Sequence, residues 1–384
     1  MASQPAKRSR TSTGLPEGAP PLGKFLASSE KHIRDKAVAA LAKFLRGKQK
    51  RSHTPTHAVD DVHTASTDDQ AWQQEWTPDS RLGPKEMAKL WKGVFFCFWM
   101  SDKPLVQQAL ATDLANLVLE VRPNLKPGQT SITRVHRFRA AMCYLGGFWH
   151  ATTREWAGLD RLRLDKFYML VRRFVNVAFR LLEREEWDLH AITEYNQLLT
   201  GENGPLDVLN QRIPDSLAYH LCDISVDELE KVCLSASTST STSSSSSSSS
   251  STQHDVPLVA LLQPFLHTMA ISPTSTMFKR VTDNVVEPLL QETLPEAEAV
   301  GSKRKKRKLL NAEGVEDVKY TGIYSRAKEG SSRDMTLSDE RRNVGVSLLQ
   351  AVFEMAGKET TTDVNRRRMY KLVKDKEESS GVEI

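Results

Sequence analysis

The stretch FWHATTREWAGLDRLRLDKFYMLVRRFVNVAFRLL, residues 148–182, is the clearest guide to the fold of this 384-residue chain. Within it, apolar residues recur three or four positions apart, at Leu164, Phe167, Val171, Phe174, Ala178 and Leu181. Because an α-helix turns once every 3.6 residues, residues with this spacing share one face. The stretch therefore predicts a long helix that buries one face in a core.

A second set of residues on the same predicted helix is basic. On steps of 100° per residue, Lys166, Arg173, Arg180 and Arg184 form a stripe about a third of a turn from the apolar face. Such a stripe suits an anionic partner, but solvated charge on a helix surface has the same pattern. The residues leave both interpretations open.

The composition indicates a moderate core and a mild positive charge. Hydrophobic residues make up 39% of the sequence, the formal net charge is +5 and the pI is near 8.9. This charge favours an anionic partner without proving one. The four cysteines are far apart and none has CxxC spacing, so we predict a reducing compartment, with neither a disulfide framework nor a zinc site.

No segment predicts export or membrane insertion. The first residues are basic and polar, but no apolar run follows them, so they do not resemble a secretory signal. The longest apolar run, residues 94–100, is too short to cross a bilayer. We therefore expect a soluble intracellular protein.

The rest of the chain alternates between helical periodicity and polar segments. Sustained alternation of apolar and polar residues, the pattern of a half-buried strand, does not occur. Pro84 and Pro104 each stand where a helix would begin, a position that suits proline. We predict an all-α protein of stacked antiparallel helix pairs that form a HEAT/armadillo-like superhelix.

Composition shifts divide the chain into several segments. Polar and Ser/Thr-rich stretches cannot build a core, so we expect them to be disordered or flexible. The expected organisation is a disordered tail at 1–22, a helical domain at 23–290 with a polar loop at 48–80 and a Ser/Thr-rich insertion at 235–252, a basic disordered linker at 291–337, a C-terminal helical pair at 338–376 and a tail at 377–384. Late in the helical domain, we expect helices near 186–200, 205–221 and 225–234.

Catalytic motifs are absent from the sequence. It contains no phosphate-binding glycine loop, nucleophile elbow or H-E-x-x-H helix. Glu155, Asp160 and Asp165 could hold a metal ion, but basic residues among them favour local salt bridges. Three histidines in the polar loop are best interpreted as plain loop residues: His53, His57 and His63. We predict that the protein is not an enzyme and uses no cofactor or metal.

The aromatic residues are expected to be structural. Trp149, Trp156, Phe167 and Tyr168 could stack on bases, but burial in a core is the better interpretation for most of them. Trp91 and Trp99 are expected to pack in the same way. Leu162 is expected to pack beside Trp156 and Phe167 at a corner between helices.

Six consecutive basic residues stand out in the predicted linker: Lys303, Arg304, Lys305, Lys306, Arg307 and Lys308. Such a run is typical of a nuclear localisation signal, a nucleic-acid-binding arm or a solvated charge cluster. Because polar linker flanks it on both sides, we favour the nuclear signal.

Three blocks of sequence resemble one known family. LWKGVFFCFWMSDKPLVQQAL (90–110), FWHATTREWAGLDRLRLDKFYMLVRRFV (148–175) and VFEMAGKETTTDVNRRRMYKLV (352–373) are similar to the ribosomal RNA-processing protein 1 family, also called the Nop52 family. The blocks are long, unusual in composition and in the same order as in that family. The resemblance covers residues 24–290 and 339–376.

The resemblance implies a non-catalytic nucleolar assembly factor for the large ribosomal subunit. It implies an α-helical superhelix that docks on the pre-large-subunit particle among other assembly factors and supports precursor rRNA processing, away from any membrane. Longer members of the family carry a basic tail after the last block. The sequence stops at Ile384, so the resemblance does not carry over a role of that tail in RNA binding.

Direct contact with precursor rRNA would use arginine and lysine side chains, which bind phosphates without reading sequence. The candidates are Arg161, Arg163, Lys166, Arg172, Arg173, Arg180, Arg366, Arg367 and Arg368. Two other hypotheses remain open. One is a pure protein–protein helical adaptor without RNA contact. The other is a nuclease that would use Asp160 or Asp165.

Overall fold

A computed structural model describes residues 22–47, 83–123, 132–241, 254–294, 319–327 and 337–384. Every regular element in these ranges is helical, so the all-α prediction is confirmed for the described part of the chain. The α-helices are α1 (Leu22–Leu26), α2 (Lys31–Arg46), α3 (Pro84–Trp99), α4 (Pro104–Glu120), α5 (Arg134–Glu155), α6 (Arg161–Arg184), α7 (Leu189–Thr200), α8 (Asp215–Ser241), α9 (Leu258–Ile271), α10 (Ser275–Val281), α11 (Glu287–Thr293), α12 (Thr321–Arg326), α13 (Leu337–Gly357) and α14 (Asp363–Ser380).

Helix α6 lies at the centre of the fold, packed against α4, α5 and α8. Its predicted apolar face is buried, with Phe167, Val171 and Phe174 all inaccessible to solvent. Asp160 caps the helix, since its carboxylate accepts a hydrogen bond from the backbone N–H of Arg163 at 3.0 Å. The periodicity of the sequence thus corresponds to a real core helix.

Aromatic side chains fill the space between α3, α5 and α6. Phe148 stacks on Phe174 with ring centroids 3.7 Å apart, and Trp91 lies 4.7 Å from Tyr144 and 5.6 Å from Phe148. Gly147 permits this arrangement, because a Cβ atom there would lie 2.2 Å from Cδ1 of Trp91. The glycine allows α3 and α5 to approach closely.

The fold also contains two helical hairpins. Helices α3 and α4 are joined by a short turn, with Pro104 in the first turn of α4. Helices α13 and α14 form the second hairpin, which packs against α9. Its buried Asn365 anchors it there, since Nδ2 donates to the carbonyl of Ala270 at 3.2 Å and to that of Ser272 at 2.8 Å.

The predicted linker at 291–337 is wrong for residues 319–327, which contain the short helix α12. Ile323 and Tyr324 are buried, and the Glu230 carboxylate of α8 accepts hydrogen bonds from the backbone N–H groups of Gly322 and Ile323, both at 2.8 Å. The apolar spacing of this segment covers only two turns, too short to distinguish from a polar linker in the sequence.

Other predicted boundaries also differ from the structure. Residues 201–214 form turns, and a single helix, α8, replaces the two helices expected at 205–221 and 225–234. The reason is that Pro214 lies just before α8, and no proline or glycine interrupts the helix after it. Helix α8 also continues to Ser241, into the predicted Ser/Thr-rich insertion, and α11 and α13 extend into the two ends of the predicted linker.

Leu162 does not pack in the corner as expected, because it is 92% exposed. It lies five residues from Phe167, which places it roughly 140° away around α6, on the solvent side. The predicted loop at 48–80, the remainder of the Ser/Thr-rich tract and the basic run at 303–308 lie outside the described residues.

Candidate nucleic-acid interface

One face of α6 carries three arginines, Arg173, Arg180 and Arg184, and the last two contact α4. Arg173 and Arg180 are exposed, and Arg180 Nη1 donates to Asn116 Oδ1 at 3.0 Å. One turn further along, Arg184 Nη1 donates to the carbonyl of Leu119 at 3.0 Å. Positions 173, 180 and 184 fall within about 40° of each other on a helix. We call this set the α6 arginine face.

Lys166 does not belong to this face, although its sequence spacing suggested that it would. The side chain is only 8% exposed, and its ammonium donates to the carbonyl oxygens of Trp99 at 2.6 Å and Ser101 at 2.9 Å. Burial lowers the pKa of Lys166 below the ordinary lysine value. The residue satisfies carbonyls at the end of α3 and is not available to a partner.

The other basic residues of α6 point in different directions. Arg163 pairs with Asp160, and its guanidinium lies 4.7 Å from the ring centroid of Trp99. Arg172 Nη1 lies 3.3 Å from the buried Glu228 carboxylate of α8. Arg161 is exposed, about 120° around the helix from Arg173. The structure therefore separates these arginines from the α6 arginine face.

The α6 arginine face leads into a basic cavity that the sequence did not reveal. The cavity has a volume of about 760 Å³ and lies where α2, α4 and α6 end and α5 begins. We call it the cationic cavity, after its basic lining residues Lys43, Arg46, Arg122, Arg137 and Arg184. Glu120 is the acidic residue among the described lining residues, and it pairs with Arg46 at 2.7 Å.

Helix geometry explains why cations gather here. The C-terminal end of a helix carries partial negative charge, and Lys43, Arg46 and Arg184 lie in last turns. Those last-turn cations were the signal available in the sequence. Nothing in the sequence indicated that the ends of α2 and α6, about 140 residues apart along the chain, would meet at one cavity.

A buried carboxylate helps to position Arg184. Glu185 is 1% exposed, and its oxygens lie 3.0 Å from Nε of Arg184 and 3.1 Å from Nε of Arg134. Burial raises the pKa of Glu185 above the ordinary glutamate value, although both arginines oppose the shift. The ion pair keeps one end of the Arg184 guanidinium engaged with the protein, beside the cavity.

The basic residues of α14 belong to a different part of the fold. Arg366 is engaged with the end of α13, since Nε donates to the carbonyl of Ala356 at 3.0 Å and Nη2 to that of Lys358 at 3.1 Å. Arg367 is exposed. Arg368 is also exposed, with its guanidinium 5.5 Å from the ring centroid of Phe278. Only Arg367 and Arg368 of this triplet present their charge outward.

The described residues contain no group of three or more histidine, cysteine or acidic side chains placed to hold a metal ion. Asp160 instead caps α6 and pairs with Arg163. Burial raises the pKa of the Cys97 thiol to about 11 and those of Cys222 and Cys233 to about 12. Among the helices of the described ranges, none has the length and apolar character needed to cross a membrane.

The five aromatic residues expected to be structural lie in the core or at its edge. Trp91, Trp149, Trp156 and Phe167 are buried, and Trp99 is half-buried beneath Arg163. They are therefore not exposed surfaces on which bases could stack.

The fold and this surface define a class of structure, an all-α protein with a cationic cavity and an exposed arginine face. Comparison with known proteins specifies the family. The family model for the nucleolar protein Nop52 matches residues 17–373, and the chain belongs to this family.

Curated relatives of the chain are named as ribosomal RNA processing proteins. The chain is 25% identical to human ribosomal RNA processing protein 1 homolog A, over 94% of this chain and 70% of that protein. It is 29% identical to human homolog B, over 91% of this chain but 41% of the relative, and 30% identical to the Drosophila melanogaster homolog, over 46% of this chain and 23% of the relative. The chain thus spans less than half of several relatives that it matches.

Proposed function

We propose that this chain acts in ribosomal RNA processing, as a non-catalytic nucleolar assembly factor of pre-large-subunit particles. In this proposal it scaffolds other assembly factors and contacts the backbone of precursor rRNA. Family membership and the names of the relatives support the role in rRNA processing. The cationic cavity, with five basic residues and one acidic residue among its described lining, is the observation that supports RNA contact.

The expected RNA contact is electrostatic and independent of sequence. Each phosphate that an arginine or lysine neutralises releases condensed counterions, so affinity falls as salt rises. Arg173 and Arg180 extend the cationic cavity along α6, which would let successive phosphates follow the helix. Contacts of this kind position a protein on RNA without reading bases.

The scaffold part of the proposal relies on the arrangement of helix pairs. Stacked pairs such as α3–α4 and α13–α14 would form a HEAT/armadillo-like superhelix, whose grooves bind partner proteins. Entry into the nucleus would use the basic run at 303–308.

The experiment is a charge reversal on the α6 arginine face. We expect the Arg173→Glu/Arg180→Glu variant to bind precursor rRNA more weakly and to co-sediment less with pre-large-subunit particles. The slope of log affinity against log salt is negative, and it should become shallower by roughly 0.7 for each phosphate of single-stranded RNA that the variant no longer neutralises. Helicity should not change, since both side chains are exposed.

A matched control is Lys89→Glu/Lys92→Glu on α3, which changes the net charge equally at two exposed lysines away from this face. The control should bind RNA more tightly than the arginine variant. If both variants lose the same affinity, the effect is one of net charge and the proposed interface is wrong.

A second candidate function, a pure protein–protein adaptor, is favoured by one specific feature. An apolar groove of about 570 Å³ lies between α3, α5 and α7, lined by residues including Met87, Met142, Cys143 and Leu198. Such grooves suit the apolar face of a partner helix. This function predicts that binding to assembly factors survives nuclease treatment and varies little with salt.

A further inference from the structure

The α13–α14 hairpin exposes two aromatic side chains that contact each other. Phe353 is 46% exposed and Tyr370 is 37% exposed, with ring centroids 5.2 Å apart and planes at 56°. Among the large hydrophobic side chains that are exposed in the described residues, the aromatic ones are Phe25, Phe353 and Tyr370. Two of these three therefore form one exposed aromatic pair.

This pair lies on a packed hairpin and does not belong to its core. Beside Tyr370 on α14, Met369 and Val373 are buried, and beside Phe353 on α13 Val352 and Met355 are buried. The Tyr370 hydroxyl lies over Gly357, where an added Cβ would be 3.6 Å away. The two rings thus contact each other and the hairpin while a large part of each remains open to solvent.

Basic side chains surround the rings. Between Asp363 and Lys374, helix α14 contains five basic residues and one acidic residue. Arg367 and Lys374 lie three residues before and four residues after Tyr370, which places them on the same side of the helix. Lys371 follows Tyr370 directly, and all three are exposed.

Three of the acidic residues nearby have other partners. Asp363 Oδ1 accepts from Arg366 Nη1 at 3.3 Å. Glu354, next to Phe353, accepts from Gln350 at 3.2 Å. Glu378 lies 3.6 Å from the Lys374 ammonium at the far end of the basic stretch. Arg367 and Lys371 make no ion pair with another residue of the described ranges.

We propose that Phe353 and Tyr370 form a stacking platform for an unpaired base of single-stranded RNA, while Arg367, Lys371 and Lys374 contact the adjacent phosphates. This proposal depends on the proposed function in that its ligand is RNA. It adds a second contact site and specifies the kind of RNA bound there.

The chemistry of the surface favours this ligand. The π-face of an unpaired base can stack on an exposed aromatic ring. Basic residues one or two helical turns away can then reach the neighbouring phosphates of the same strand. In duplex RNA the base faces are stacked within the helix, so they cannot reach the rings. An apolar protein segment would cover the aromatic pair but would leave Arg367 and Lys371 without an anionic partner.

The test uses the full chain, a short fluorescent oligouridylate as unpaired RNA and a duplex of equal length. Phe353→Leu and Tyr370→Leu retain apolar contact within the hairpin but remove the aromatic faces. We expect each to bind the oligouridylate roughly tenfold more weakly than the unaltered protein, with duplex binding unchanged. The matched control is Phe25→Leu, which removes an exposed aromatic ring on α1 and should not change either affinity.

Charge and stacking are separated by salt dependence. The leucine variants should keep the salt slope of the unaltered protein, whereas Arg367→Glu/Lys371→Glu should reduce it. Ultraviolet crosslinking of the unaltered protein to the oligouridylate should place the crosslinked base on a peptide that contains position 353 or 370. Thermal melting followed by circular dichroism establishes that each variant is folded.

Two results would overturn the platform. One is oligouridylate binding by the leucine variants at full affinity. The other is an equal loss for the duplex, which would indicate general damage. Capture of an acidic peptide at this surface, with oligouridylate binding unaffected by the variants, would also overturn it and indicate a protein partner.

The failure of the platform and the failure of the proposed function can be told apart. If Arg173→Glu/Arg180→Glu weakens RNA binding while the leucine variants do not, the α6 interface stands and the platform is wrong. If only the leucine variants weaken binding, the RNA contact lies on the hairpin and the α6 interface is wrong.

Discussion

Arg326 Nη1 donates to Glu183 Oε1 at 2.8 Å, although the two residues are 143 positions apart in the sequence. The contact joins α12 to the end of α6. The Arg326 side chain is 4% exposed, and its Nη2 also donates to the carbonyl of His254 at 3.4 Å. A short segment far along the chain is therefore fastened to the central helix through one buried guanidinium.

We expect Arg326→Met to destabilise the protein. The substitution leaves the partly buried Glu183 carboxylate without this partner, at a cost of about 1–3 kcal/mol. The free energy of unfolding in urea measures the loss. The exposed Arg161 is the control, since Arg161→Met should change stability by less than about 0.5 kcal/mol. Equal stability of the two variants would show that α12 is not held by this ion pair.

Lys166→Met tests whether this lysine is structural. The substitution removes the ammonium that satisfies the carbonyls of Trp99 and Ser101, so we expect a loss of about 1–3 kcal/mol in the free energy of unfolding. The RNA affinity of the folded protein should not change, because the side chain is buried. A variant with unchanged stability but weaker RNA binding would show that Lys166 belongs to the RNA interface.

Gly147→Ala tests the close approach of α3 and α5. The new Cβ would clash with the Trp91 ring and lie 2.9 Å from Cγ of Met87, so these buried side chains must shift. We expect overpacking to cost about 1–3 kcal/mol, measured by chemical denaturation. Gly158→Ala is the matched control, because nothing lies within 4 Å of a Cβ added there. If Gly147→Ala does not lower the free energy of unfolding, the aromatic core can rearrange around the added methyl group at little cost.

The buried Glu185 should make stability depend on pH. Its pKa in the folded protein lies above the ordinary value of 4.5, so the folded state binds this proton more tightly than the unfolded state does. The resulting stabilisation is fully present below pH 4.5 and is lost as pH rises through the folded pKa. The Glu185→Gln variant lacks this contribution to the pH dependence, because a glutamine side chain does not titrate.

The measurement is the free energy of unfolding of both proteins as a function of pH. We expect the stability of the unaltered protein relative to Glu185→Gln to decrease as pH rises from 4.5. A relative stability that increases over this range would show that Arg184 and Arg134 outweigh burial, and that the folded pKa is lowered.

Local patterns in the sequence were sufficient to predict the central helix α6 and its buried face. The spacing of Phe167, Val171 and Phe174 predicts the buried face, because residues on one helical face meet the same neighbour. Pro84 and Pro104 mark the first turns of α3 and α4 for an equally local reason. Leu162 shows the limit of such reasoning, since an apolar residue in the first turn can face solvent as easily as the core.

The basic residues were harder to place than the apolar ones. Lys166 and Arg173 have equivalent sequence spacing, yet one is buried against carbonyl oxygens and the other is exposed. The difference arises because the end of α3 lies beside Lys166, a contact between segments 65 residues apart. A helical wheel describes one helix and contains no information about its neighbours.

By itself, the sequence determined that this protein is helical, which face of α6 is buried and which family the chain resembles. These properties follow from residues close together in the chain or from long blocks of matching sequence. Only the tertiary structure decided which cations share a surface, because the cationic cavity combines side chains from α2, α4, α5 and α6 with the segments between them. It also decided that Phe353 and Tyr370 meet on the outside of a hairpin. Such relationships depend on how helices pack against one another, and packing is a property of the whole chain.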